Sequence, residues 1–235
     1  MNAQGKLYLI PTPLGEDTLA TIPQYVVDIL HQLDFFIAER AKTARHFIKT
    51  TKPVKAFADL HFSELNKRTT PEEINQMLRP AEQGNDMGLL SEAGCPGVAD
   101  PGAVIVEMAH QKGIEVVPLV GPSSILLSLM GSGLNGQNFS FVGYLSAKKP
   151  DLARDLKRLE QLVMKQKQTQ IFIETPYRNG QMIETALATL NAKTRFCIAV
   201  DLTLPTEYIL TKTVGAWKKG KVPDFHKRAA IFLIG

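Results

Sequence analysis

Ser91-Glu92-Ala93-Gly94-Cys95-Pro96-Gly97-Val98-Ala99-Asp100-Pro101-Gly102 joins the apolar run Met87–Leu90 to a segment of helical spacing over Pro101–Lys112. The order is strand, irregular loop, helix. Open α/β sheets bind their ligands just past the carboxyl ends of such strands. Three glycines and two prolines are more than a plain connection requires. Glycine lets a ligand approach the backbone, and proline fixes the path so that main-chain groups point one way. Tight turning alone would use some of these residues. The position at a strand end favours the ligand reading, because loops there so often carry function.

Working outward, the same pattern repeats. Val116–Val120 reads as a strand, and Gly121-Pro122-Ser123-Ser124 follows it into a short helix over Ser123–Met130. Free N–H groups and hydroxyls at such a start suit a carboxylate, a ribose or a ring nitrogen, and equally an N-cap serine with no other role. Towards the amino end, Lys6–Ile10 is a strand closed by Pro11-Thr12-Pro13-Leu14-Gly15. Phe35–Ala38 and Val54–Phe57 are two more. Helical spacing marks Ile22–His31, Arg40–Lys49 and Pro71–Glu82. Asp100 is a candidate N-cap for the helix after the loop, and Gly113 closes that helix. Strands alternating with helices predict a mostly parallel sheet covered on both faces.

Gly131-Ser132-Gly133-Leu134-Asn135-Gly136-Gln137-Asn138 has the composition of a linker. The expected organisation is an amino-terminal α/β domain over residues 1–133, a linker over 131–138, and a carboxyl-terminal α/β domain over 138–235. In that second half the strands Phe139–Tyr144 and Gln170–Glu174 alternate with helices over Asp151–Lys165 and Gln181–Leu190. The runs Phe196–Asp201, Glu207–Thr213 and Ala229–Ile234 follow with connections too short for helical crossovers, so antiparallel pairing and a mixed sheet are expected.

Charge divides the chain as well. Met1–Asn135 holds 11 basic and 15 acidic residues, and Gly136–Gly235 holds 16 and 8. A basic half attracts polyanions, or serves as a solvated lysine-rich surface. Composition is that of a folded globular protein, with no apolar run near the roughly 18 residues of a membrane span. The opening residues resemble no secretory signal, and two distant cysteines predict a reducing compartment. The expectation is a cytoplasmic protein with no membrane partner.

Some chemistries find no support. No G-x-G-x-x-G follows a strand, and no phosphate-loop or G-x-S-x-G elbow motif occurs. The five histidines show no metal-ligand spacing with cysteine, so no metal is expected. Cys95 has no histidine placed by sequence to activate it.

The ordered set of segments resembles the tetrapyrrole methylase-like S-adenosylmethionine-dependent methyltransferases, and most of all their ribosomal RNA small subunit methyltransferase I branch. The matching segments are Leu7–Gly15, Ala38–Arg45, Ser91–Gly102, Val116–Ser124, Phe141–Lys148, Ile173–Arg178 and Ile198–Thr203. They cover nearly the whole chain in order. The resemblance implies two α/β domains forming a homodimer, with S-adenosylmethionine held between the domains. It places cofactor contacts at Leu14, Gly94, Cys95, Pro96, Val98, Ser123, Ser124, Tyr177, Ala199 and Ala229. It implies methylation of a cytidine ribose 2′-hydroxyl in small-subunit ribosomal RNA.

Methyl transfer is an in-line displacement, so alignment dominates and can contribute roughly 7–11 kcal/mol. A ribose hydroxyl also gains from a base. Glu39 and Glu174, both next to strand ends, are the candidates. The competing reading pairs each with its neighbour, Arg40 or Arg178. Arg40, Arg45, Lys148, Lys149 and Arg178 are candidate phosphate contacts. Two other functions remain open at this stage: a methylase for a corrinoid or porphyrin precursor, and a binding module without activity.

Overall fold

The computed structural model describes residues 4–66 and 68–235. The chain forms two compact units, Met1–Ser123 and Ser124–Gly235.

The first unit runs β1 (Leu7–Ile10), α1 (Gln24–Leu30), β2 (Phe35–Ala38), α2 (Ala41–Thr50), β3 (His61–Glu64), α3 (Pro71–Met77), α4 (Arg79–Glu82), β4 (Met87–Leu90), α5 (Ala103–Gln111) and β5 (Val116–Pro118). Its sheet has the order β3-β2-β4-β1-β5 and every pairing is parallel. Helices on both faces leave the central strands no wet side, so β4 is buried at all four residues. Alternate residues feed two cores. Phe36 and Ile10 pack with Val26, Leu30, Phe47 and Ile48, whereas Ile37, Leu7 and Leu89 pack with Ile74, Leu78 and Ile105.

Local chemistry sets the helix limits. Thr70 and Glu73 form a capping box at α3, with Pro71 in the first turn. The expected single helix over Pro71–Glu82 divides at Leu78, because Pro80 cannot donate to the earlier turn. The strand expected at Val54–Phe57 is absent: Val54 is fully exposed, and the third strand is His61–Glu64.

The second unit comprises α6 (Ser124–Ser132), β6 (Phe139–Tyr144), α7 (Lys149–Gln166), β7 (Thr169–Ile173), α8 (Asn179–Thr189), β8 (Arg195–Val200), β9 (Tyr208–Thr213), α9 (Val214–Lys219) and β10 (Ala230–Ile234). Its sheet, β6-β7-β10-β8-β9, is mixed. β6 and β7 are parallel, and β10 runs antiparallel to both β7 and β8. Leu152, Leu156 and Leu159 of α7 pack with Phe172, Phe196 and Phe232 over one face.

On the other face Leu129 of α6 packs with Ile171, Cys197, Ile231 and Leu233. That apolar contact puts the division between units at Ser123/Ser124, ahead of the glycine-rich segment expected to be a linker. Residues 131–132 finish α6. Asn135 and Asn138 tie the rest of that segment to the Lys167 and Gln166 carbonyls at the end of α7.

Candidate active site

Three loops meet at the carboxyl ends of the adjacent strands β4, β1 and β5. Thr12 and Gly94 exchange both backbone hydrogen bonds at 3.0 Å, which fastens the loop after β1 to the loop after β4. The Thr12 hydroxyl donates to the Ser91 carbonyl at 3.3 Å, and the Ser91 hydroxyl to the Gly94 carbonyl at 3.0 Å, both buried. The Cys95 thiol reaches the Pro122 carbonyl of the third loop at 3.5 Å. Burial pushes this thiol up from its usual range, which keeps it protonated and a poor nucleophile.

Two glycines make the closure possible. At Gly94 the backbone is left-handed (φ +79°), and a Cβ would stand 3.2 Å from Leu14 Cδ2 and 3.4 Å from the Pro122 carbonyl oxygen. At Gly121 a Cβ would stand 2.2 Å from Pro11 Cγ. Gly94 is itself buried beneath Leu14 and the Pro122 carbonyl, so the surface the junction offers to an adenosyl group and its thioether is Leu14, the capped thiol of Cys95 and the half-exposed Val98.

Asp100 is not the N-cap of the following helix, which starts at Ala103 with Gly102 at its cap. Its Oδ1 instead accepts from the Gly97 and Gly102 amides, each at 2.8 Å. It thereby closes the turn that Gly97 and Ala99, both at positive φ, require. Burial raises its pKa, opposed by those two amide bonds.

Beside this junction lies a cavity of ≈ 730 Å³. Its walls are residues 12–20, the α2 face at Thr43, His46, Phe47 and Thr50, and the loop start Ser91–Ala93. Leu14 of the cofactor candidates lies in this wall. Glu39 is half-buried between β2 and α2. Arg40 is the exposed N-cap residue of α2 and offers no side-chain cap. The cap comes from Glu64, whose Oε1 accepts from Ala41 N at 2.8 Å. Sequence reading misses this pairing across 23 residues. Arg45 lies over the Phe62 ring, 4.6 Å from its centroid.

In the second unit one sheet edge gathers the carboxyl ends of β7 and β8 with the amino end of β10. Glu174 is buried there, and its Oε1 accepts from Arg178 Nε at 2.9 Å, Arg178 Nη2 at 2.5 Å and Thr175 N at 2.6 Å. Its Oε2 has no partner among the described residues. Of the two readings of Glu174, the ion pair is therefore present, and one carboxylate oxygen is left over.

Tyr177 is 69% exposed with its ring edge-on to His226. Ala199 is buried within β8, and Ala229 is exposed with its carbonyl accepting from Asp201 N at 2.9 Å. Lys148 occupies the N-cap position of α7 without a side-chain cap, and Lys149 stands 3.9 Å from Glu184. Ser123 and Ser124 are half-buried where α6 begins. No local sequence signal indicates Asp155, whose Oδ2 holds Ser146 N at 3.0 Å and Ser146 Oγ at 2.6 Å and so fixes the connection after β6.

Loops locked together over adjacent parallel strands, joined to a mixed-sheet unit, define a class of enzyme. The model of the tetrapyrrole (corrin/porphyrin) methylases matches residues 6–217, and the chain belongs to that family. Within it, the chain falls in the ribosomal RNA small subunit methyltransferase I-like branch and is an S-adenosylmethionine-dependent methyltransferase. The ribosomal RNA small subunit methyltransferase I of Escherichia coli O157:H7 is 32% identical over 222 residues, 93% of this chain and 73% of that one. The Vibrio cholerae protein of the same name is 33% identical over 86% of this chain and 67% of its own. The Bacillus subtilis protein is 30% identical over 89% and 68%.

Among solved structures, the methyltransferase CobJ matches with a TM-score of 0.64 at 17% identity, over 98% of this chain and 94% of that one. Cobalt precorrin-4 methyltransferase CbiF gives 0.64 at 16%, over the same shares. These two share the fold. Among the described residues, no helix is long and apolar enough to cross a membrane.

Proposed function

We propose that this enzyme methylates small-subunit ribosomal RNA at the 2′-hydroxyl of a cytidine ribose, as a cytoplasmic homodimer. The observation that carries the reading is charge. The chain from Gly136 to Gly235 has a net charge of +8 beside a first half of net −4. Phosphate contacts are where cations gain most from a polyanion, through counterion release. The relatives named above support the same substrate.

When bound, S-adenosylmethionine supplies a methyl group on a sulfonium whose thioether is ready to leave. The loop junction around Leu14, Gly94, Cys95, Pro96 and Val98 binds it, with Ser123 and Ser124 at the neighbouring strand end. Tyr177, Ala199 and Ala229 are the contacts proposed from the second unit. The protonated Cys95 thiol does not compete for the methyl. Glu39, half-buried at the end of β2, is the proposed base for the hydroxyl proton; Glu174, the other candidate, has no exposed side-chain surface and anchors the Arg178 guanidinium instead. Arg40, Arg45, Lys148, Lys149 and the outer edge of Arg178 take phosphates.

The test is tritiated methyl transfer into total RNA from a strain lacking this protein. Label is expected in the small-subunit RNA, at a ribose that resists alkaline cleavage. RNA affinity should fall steeply with salt, by about 0.7–0.9 in log K per phosphate contact for each unit of log salt. RNA that takes no label, with binding indifferent to salt, rules the reading out. Light scattering of the purified chain tests the dimer.

A further inference from the structure

We propose that the cavity between α2 and residues 12–20 receives the uncharged sugar and base of the acceptor nucleotide. The inference rests on the RNA reading and adds where the acceptor sits. Its volume, ≈ 730 Å³, suits a small molecule rather than a helix or a strand. In-line transfer brings the reacting atoms within about 3–3.5 Å, so an acceptor site must share a wall with the donor site. This cavity does so. Leu14 and Ser91–Ala93 line it, and Gly94 and Cys95 continue the same loop.

The chemistry of the walls selects the part of the nucleotide that enters. Phe47 and Leu14 offer apolar surface, and Thr43 and His46 offer hydrogen-bonding groups. Among the described residues, the cavity is lined by three carboxylates, Glu16, Asp17 and Glu92, and by no lysine or arginine. Such a rim repels phosphate, whereas a carboxylate accepts well from the exocyclic amine of cytosine. A nucleotide turned out of its stack presents this neutral end first, and its phosphates stay outside with the cations.

Thr43→Trp tests the idea, since Thr43 is exposed on α2 and a larger side chain there fills space without crossing the core. The expected result is a kcat/KM for small-subunit RNA lower by roughly tenfold or more, with S-adenosylhomocysteine affinity by calorimetry within about twofold of wild type. Glu92→Gln supplies a test by sign. It should raise KM for RNA if the cavity takes an amino-bearing base, and lower it if the cavity takes phosphate. Equal loss of S-adenosylhomocysteine binding in Thr43→Trp would assign the cavity to the donor and overturn the inference. Unchanged kinetics would overturn it too. If the wild-type enzyme labels no RNA at all, the functional reading has failed instead, and this one falls with it.

Discussion

Two corners of the molecule hold their loops with carboxylates, by opposite means. In the first unit Asp100 faces only backbone amides, those of Gly97 and Gly102. In the second, Asp155 binds the Ser146 amide and hydroxyl with Arg154 and Arg158 acting on it, and Glu174 binds the Arg178 guanidinium. The first corner is fixed by backbone amides alone, the second by the Ser146 hydroxyl and amide at Asp155 and by the ion pair of Glu174 with Arg178. A corner fixed by backbone keeps its conformation when ionic strength or a polyanion changes, which suits a cofactor seat. A corner fixed by ion pairs keeps cations in place near the surface, which suits a phosphate-bearing partner.

The largest expected effect comes from Arg178→Ala. It leaves Glu174 buried with no cation, and breaking a buried pair from that side typically costs about 3–5 kcal/mol. Arg178 is itself partly exposed, so Glu174→Ala releases a charge that water can take up and should cost less. Urea unfolding of the two variants measures the asymmetry. Equal losses would mean that the pair is fully screened and that charge does not fix this corner.

Gly121→Ala should cost about 1–3 kcal/mol, since a Cβ 2.2 Å from Pro11 Cγ forces two ring-stiffened loops apart. Gly136→Ala in the second unit meets nothing within 4 Å and should be close to neutral. Thermal unfolding separates them, and a harmless Gly121→Ala would show that the three loops do not lock. Next in size, Asp100→Ala strands two amides and should cost about 1–3 kcal/mol. S-adenosylhomocysteine affinity should fall with it, because the Gly97 turn loses its acceptor.

How much of this was readable beforehand depends on what each element is made of. The strands Phe35–Ala38 and Met87–Leu90 agree residue for residue with expectation, because a strand buried on both faces has to be a continuous apolar run. The third strand fails by the same logic. His61–Glu64 is an edge strand held by backbone pairing to β2, so its side chains carry no apolar pattern. The six-residue α9 is too short to show a helical period, since only Val214 and Trp217 are buried in it, the Trp217 indole N–H donating to the Phe196 carbonyl at 2.8 Å. At the candidate site, the irregular loop after β4, proposed to seat the cofactor, is legible from its glycines and prolines. The Asp100 lock is not, since an aspartate directly before an expected helix at Pro101 reads as a cap, whereas the helix starts at Ala103. Contacts such as Glu64 with Ala41, or Asp155 with Ser146, join residues that only folding brings together.

The smallest expected effect is the sharpest in sign. Burial raises the Asp100 pKa above the ordinary aspartate value of 3.8, against the pull of its two amide bonds. In the window between those values the folded state binds more protons than the unfolded state, so stability falls as pH rises through it. The Ser146 hydroxyl bond, helped by the Ser146 amide and the two arginines, lowers the Asp155 pKa in spite of partial burial. Its contribution is present above 3.8 and is lost as pH falls through the lowered value. Asn replaces either carboxylate while keeping an acceptor oxygen, which isolates the charge from the bonds. Unfolding free energies measured from about pH 3 to pH 6 should therefore diverge in opposite directions. The wild type should lose ground against Asp100→Asn as pH rises, and gain on Asp155→Asn. Parallel curves for the two variants would mean that both corners solvate their carboxylates alike, and the distinction between the two corners would not hold.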